Sequence, residues 1–203
     1  MSASRFARSP VGVGASVGFI TGMLTMAAVV AIVPERYVSP AQAAAQVLSA
    51  PEMEERAVAE LRQRHLELPV RGMSRADIRD SFSEKRGADR RHEAVDILAP
   101  RNTPVLAVED GTVAKLFFSQ AGGNTVYQFD PSVTYAYYYA HLERYADGLT
   151  EGARLTRGQV IGYVGTSGNA PKDTPHLHFA IFTLTDEKRW WKGAAIDPFQ
   201  ILR

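Results

Sequence analysis

The sequence predicts a mainly β fold: an antiparallel sheet domain with a groove, preceded by an N-terminal transmembrane helix and a helical linker. Three observations carry this expectation. Residues 11–33 hold no charge, residues 34–69 are dense in helix-favouring Ala, Glu, Arg and Leu, and from Val70 onward short β-rich runs alternate with Gly, Pro, Asp and Ser clusters. Strands at that spacing without intervening helical patterns indicate antiparallel pairing.

Residues 1–10 form a short tail carrying Arg5 and Arg8. The uncharged run Val11–Val33 follows. At about 1.5 Å per helical residue it reaches roughly 34 Å, enough for a hydrocarbon core of about 30 Å. Glu35 and Arg36 roughly cancel, so the positive-inside bias keeps residues 1–10 in the cytoplasm and sends the remainder across the membrane. The alternative is a cleaved signal peptide with Ala41-Gln42-Ala43 as its site. The run exceeds the usual apolar region of such a peptide, and that site lies well past its end, so a retained anchor is expected.

Residues 34–69 read as a helical linker. Ser49, Pro51 and Glu52 make a helix start, and helix-favouring residues continue from Glu52 to Leu68. Val58, Leu61 and Leu68 form a narrow apolar stripe, and His65 is expected to be an ordinary solvated helix residue.

The β-domain is assigned to residues 70–203. Val105–Val108, the Glu109-Asp110-Gly111 turn and Thr112–Phe117 read as strand, tight turn and strand. Thr125–Phe129, Thr134–His141, Gln159–Val164 and Leu177–Leu184 are the next strands.

Composition narrows the chemistry. A net charge of +1 gives no electrostatic basis for binding nucleic acid. Cysteine is absent, so any metal site is built from nitrogen and oxygen, and disulfides and a cysteine nucleophile are excluded.

Four of the five histidines fall in three strings: His92-Glu-Ala-Val-Asp96, Tyr139-Ala-His141-Leu142 and His176-Leu-His178-Phe179. On a strand, His176 and His178 share one face while Leu177 and Phe179 take the other, so two imidazoles converge on a cleft above an apolar core. His92 and Asp96 add a nitrogen and a carboxylate. HEAVD imitates the zincin HExxH helix, but Ile97-Leu98-Ala99-Pro100 reads as a strand that stops, and Glu93 is expected to be exposed. Tyr135, Tyr137 and Tyr139 alternate onto the face of His141, so Tyr137 and Tyr139 are expected to wall a substrate groove. His92, Asp96 and one member of the His176/His178 pair make a three-ligand set with an open position, the pattern of catalytic rather than structural zinc. Zinc lowers the pKa of bound water to about 7, and two unliganded histidines remain for proton transfer and oxyanion stabilisation.

With these strings in place, the stretch from about Val70 to Leu202 resembles the M23 family of zinc metallopeptidases, the LytM or lysostaphin-like endopeptidases. Thr103-Pro-Val-Leu-Ala107, Asp110-Gly111-Thr-Val113 and Gly158-Gln-Val-Ile-Gly162-Tyr-Val-Gly165 look like that family's frame. The resemblance implies that His92, Asp96 and His178 bind one Zn2+ per chain and that His141 and His176 are the catalytic histidines. It also implies a substrate among peptidoglycan cross-links or stem peptides. Combined with the apolar run, it places a single-pass protein in a bacterial cytoplasmic membrane, its C-terminal domain in the periplasm or outside. Two departures stand out: Ala94 replaces a common glycine, and the Asp130–Thr134 turn is compact. The alternatives are a non-catalytic peptidoglycan-binding module or activator of another hydrolase, and a proteinase acting on an envelope protein. Relatives of the non-catalytic kind have lost zinc ligands, whereas all three positions are kept here.

Overall fold

The computed structural model describes residues 48–86 and 90–203. The run at 11–33 and the first part of the 34–69 segment, to residue 47, lie outside them. Among the described residues, no helix is long and apolar enough to cross a membrane.

Helix α1 spans Ala50–Gln63. Ser49 caps it, and the Glu52 carboxylate accepts from the Ser49 amide at 2.8 Å and its hydroxyl at 2.6 Å, satisfying a donor the helix leaves unpaired. The helix stops five residues short of Leu68. His65 lies just beyond it, exposed and at φ +50°.

This segment is not a detached linker. The structure divides the chain so that Val47–Arg203 forms one compact unit, which puts the boundary anticipated at residue 70 inside a folded body. The physical reason is the apolar stripe. Ala57, Val58 and Leu61, followed by Leu66, are buried in the same core as the sheet. At the end of α1, Arg64 reaches the carboxylates of Glu109 and Asp130, both at 3.1 Å, and Arg62 donates to the Gln200 carbonyl at 2.7 Å.

Lys85–Arg86 (β1) and Arg90–Arg91 (β2) pair as a short antiparallel ribbon. The main sheet has nine strands: β3 Val95–Leu98, β4 Pro104–Leu106, β5 Gly111–Ser119, β6 Gly123–Phe129, β7 Tyr135–Tyr145, β8 Arg154–Leu155, β9 Val160–Val164, β10 His176–Leu184 and β11 Gly193–Ile196. Its order is β11-β10-β7-β6-β5-β8, with β3 on β10, β9 on β7 and β4 on β9. Every pairing is antiparallel. Helix α2, Pro198–Leu202, ends the chain and packs against α1.

Alternation builds the core. Leu177, Phe179 and Ile181 of β10 are fully buried, as are Val126 of β6 and Tyr137 and Tyr139 of β7. Against β6 the register of β7 shifts once. Asn124 pairs with Leu142 and Val126 with Tyr139, so Ala140 and His141 together oppose Thr125. The extra residue is a β-bulge. It holds His141 at φ +61°, with its amide donating to the Gly122 carbonyl at 2.8 Å. Beside it, Gly123 (φ +65°) and Gly168 (φ +70°) bring the 121–123 turn and the 165–169 loop into backbone contact, where a side chain on either would collide.

Candidate active site

Register, not proximity in sequence, assembles the site. The β3–β10 ladder places Asp96 directly opposite His178, and His92 arrives from the turn before β3. His92 Nε2, Asp96 Oδ1 and His178 Nδ1 stand 3.0 to 3.1 Å from one another. Ligand atoms that each sit about 2.0 to 2.2 Å from one ion occupy such a triangle. The donors are two imidazole nitrogens and one carboxylate oxygen, so the residues present fit a divalent cation held by three protein ligands.

Ser81 sets both ligands on the β3 side. Its carbonyl accepts from His92 Nδ1 at 2.9 Å, which leaves Nε2 as the lone-pair nitrogen. Its hydroxyl oxygen accepts from the Asp96 amide at 3.1 Å. No feature of the sequence marked Ser81, because it lies eleven residues before His92 in an irregular segment.

Two more imidazoles face the cluster. The bulge turns His141 into the cleft, and its ring lies 4.9 Å from that of His176 and 5.6 Å from that of His178. His141 Nδ1 donates to the Ser167 carbonyl and His176 Nδ1 to the Thr174 carbonyl, each at 2.9 Å. Both bonds fix the tautomer in which Nε2 carries the lone pair. His176 Nε2 lies 3.8 Å from Asp96 Oδ1. The structure thus brings His92, Asp96, His141, His176 and His178 into one cleft of about 380 Å³.

Burial opposes charge on Asp96, yet hydrogen bonds from His178 and His92 outweigh it and hold the carboxyl well below the usual range. Burial lowers His178 despite the opposing pull of Asp96. Burial likewise pushes His141 down to about 4, so its imidazole is neutral at physiological pH and able to accept a proton.

Tyr137 and Tyr139 do not wall the cleft. Both are 0% exposed. The Tyr139 hydroxyl donates to Gln128 Oε1 at 2.7 Å and accepts from the Val108 amide at 3.1 Å, while Tyr137 donates to Glu109. Simple alternation puts these residues on the His141 face, but the intervening bulge reverses that relation. Tyr138 lines the cleft instead, its ring edge-on to His178 at 5.9 Å. Glu93 is exposed at φ +56°, and residues 95–98 are a strand, so HEAVD is not a zincin helix. The Ala94 methyl is fully buried. Sequence reasoning also missed Arg86, Arg90 and Arg91 on the cleft wall. The cationic cluster at 85–91 was the available signal.

Comparison with known proteins identifies the family. The profile of Peptidase family M23 matches residues 90–198. The L-Ala--D-Glu endopeptidase of Bacillus subtilis (strain 168) is 34% identical over 143 residues, covering 67% of this chain and 42% of that relative. The chain thus spans less than half of that relative's length. The catalytic domain of lysostaphin from Staphylococcus simulans superposes with a TM-score of 0.52 at 26% identity, over 62% of this chain and 90% of that one. A zinc-containing peptidase from Vibrio cholerae gives 0.51 at 25% identity, over 64% and 40%.

Proposed function

Since the chain belongs to peptidase family M23, we propose that it is a zinc-dependent endopeptidase that hydrolyses peptide bonds in peptidoglycan cross-links or stem peptides. The observation that carries this reading is the convergence of three ligand atoms and two further imidazoles on one cleft. The names of relatives, an L-Ala--D-Glu endopeptidase in Bacillus subtilis and a peptidoglycan DD-endopeptidase in Vibrio cholerae, support the substrate class.

His92, Asp96 and His178 would hold the cation. When bound, zinc polarises an amide carbonyl and lowers the pKa of water to about 7. The remaining chemistry belongs to the chain. His141 and His176 each present Nε2 to the cleft with Nδ1 tied to a backbone carbonyl. In that orientation one imidazole takes the proton of the attacking water, and a protonated imidazole hydrogen-bonds the developing oxyanion or hands a proton to the leaving amine. Ser81, Ser167 and Thr174 fix these orientations through their backbone carbonyls, so little reorganisation accompanies the reaction.

The residues at 11–33 anchor the chain in the cytoplasmic membrane in this proposal, with the peptidase domain outside. The uncharged length of the run and the preceding Arg5 and Arg8 support it. Intact chain in the membrane fraction, protease-accessible only from outside, is the expected result. A soluble mature form beginning near Ala44 would overturn it.

Purified protein incubated with sacculi should release new peptide ends, identified by mass spectrometry of the muropeptides, and a chelator should stop the release. Full binding to sacculi without cleavage by the zinc-loaded protein would replace the enzyme with a binding module.

A further inference from the structure

The cleft carries a charge that the proposed hydrolysis does not use. Its wall includes Arg86, Arg90 and Arg91, whereas Asp96 is the only carboxylate among the described residues lining it. Asp96 is committed to the cation site. The chain as a whole is nearly neutral, with 23 basic and 22 acidic residues, so the excess is placed here rather than spread generally.

The ribbon that supplies these arginines is built against its own stability. Lys85 pairs with Arg91 and Arg86 with Arg90, so both cross-strand pairs set cation directly opposite cation. Directly opposed like charges destabilise a strand pair, and an anion bound from the cleft side, where Arg86, Arg90 and Arg91 line the wall, reduces that penalty. Arg86 is partly neutralised by Asp96 and by Glu84 at 3.5 Å. Among the described residues no carboxylate pairs with Arg90 or Arg91, and both are exposed. A guanidinium offers a planar fork matched to a carboxylate.

We propose that the β1–β2 ribbon is a specificity element: Arg90 and Arg91 bind a free carboxylate of the substrate peptide beside the scissile bond, selecting acidic peptides over uncharged ones. The proposal rests on the endopeptidase reading and narrows it. A bridge made only of glycine offers no such group within its length, whereas a peptide with acidic side chains or a free terminus does. The carboxylate docks as an intact anion, and no bond to it forms or breaks. Because the ribbon immediately precedes His92, an anion held there is registered against the cation site through the same backbone.

The test uses the full chain in detergent, zinc-loaded, with muropeptides as released and with the same muropeptides after their carboxylates are converted to carboxamides. The wild type should favour the free acids by about tenfold or more in kcat/KM, the scale of a charge-assisted hydrogen bond. The difference should sit in KM and shrink as salt rises. In the double variant Arg90→Gln/Arg91→Gln the preference should fall to within about twofold, and Arg90→Lys/Arg91→Lys should restore part of it by returning the charge without the fork. In parallel, binding of both ligands is measured with His141→Ala, which separates recognition from turnover. Equal cleavage and equal binding of acids and carboxamides, or a preference that survives the glutamine variant, overturns the proposal. Carboxylate-dependent binding with no cleavage of either ligand by the wild type leaves recognition standing and removes the endopeptidase reading instead.

Discussion

Replacing Arg64 by alanine should destabilise the domain by about 3 kcal/mol, a value assembled from its surroundings. Its ion pair with Glu60, one helical turn back at 2.7 Å, is half-exposed and adds only about 0.3–0.5 kcal/mol. The larger loss lies at Glu109 and Asp130, whose side chains are 8% and 0% exposed. Removing one partner of a buried pair costs about 3–5 kcal/mol when the other charge is left uncompensated. Here the cost falls below that range, to about 2 kcal/mol, because the guanidinium is itself part-exposed and both carboxylates keep other donors. Asp130 keeps bonds from the Ser132 hydroxyl and the Thr134 and Tyr135 amides, and Glu109 keeps Tyr137. The guanidinium also lies 4.9 Å above the Tyr135 ring, a contact worth about 0.5–1 kcal/mol. At about 2–4 °C per kcal/mol for a domain of this size, the melting temperature should fall by roughly 6–12 °C in calorimetry. The acid side gives a second reading. Burial raises the Asp130 carboxyl but its hydrogen bonds and Arg64 outweigh that, so its folded pKa lies below the unfolded value. Its stabilisation is therefore present above the unfolded pKa and is lost as pH falls towards the folded one. Arg64→Ala should flatten that loss. A destabilisation under about 1 kcal/mol would show that α1 is only attached to the domain rather than part of it.

Three further outcomes follow from the site. Tyr139→Phe leaves the Val108 amide and the Gln128 Oε1 without their buried partner and should cost about 1–3 kcal/mol in urea unfolding, while activity per folded molecule stays near wild type; a large loss of activity without loss of stability would put Tyr139 back in the groove. His92→Ala, Asp96→Ala and His178→Ala should each lower bound zinc far below one per chain, as elemental analysis of the dialysed protein would read. Full occupancy in all three would refute the ligand set. His141→Ala should keep zinc and lose about a hundredfold or more in muropeptide release, whereas retention of full activity would remove His141 from the chemistry.

The antiparallel β-domain and the clustering of His92, Asp96, His141, His176 and His178 were legible because each depended on a local rule. Two-residue alternation put Leu177 and Phe179 in the core and His176 and His178 in the cleft, and β10 obeys it. The same rule misplaced Tyr137 and Tyr139, since a bulge inserts a residue without any change in composition. His141 and its tyrosines share parity in sequence but not in space. The helix start at Ser49 was readable from its capping residues, whereas the docking of α1 was not. Val58 and Leu61 make a stripe too narrow to announce a partner, and the buried carboxylates awaiting Arg64 come from positions 109 and 130. Ser81 acts through a carbonyl that every residue possesses, so no pattern could single it out.

The division of β10 has a consequence for what a cation held by His92, Asp96 and His178 would do. Along one edge β10 is shared: β3 covers its first half through four residue pairs and β11 its second half through four more. Among the described elements, β3 has no other neighbour in the sheet. Val95 and Ile97 hold β3 to the core, but the strand's only backbone ladder is the four-pair one to β10. It also carries Asp96, with His92 three residues before its start, whereas His178 belongs to the long strand opposite. An ion joining them would work as a rivet across that single ladder. Occupancy at a hundred times the dissociation constant would add about 2.7 kcal/mol against opening of that ladder. Metal supply would then govern how often this edge opens, and loss of the ion would loosen the fold at the same place where it dismantles the cluster.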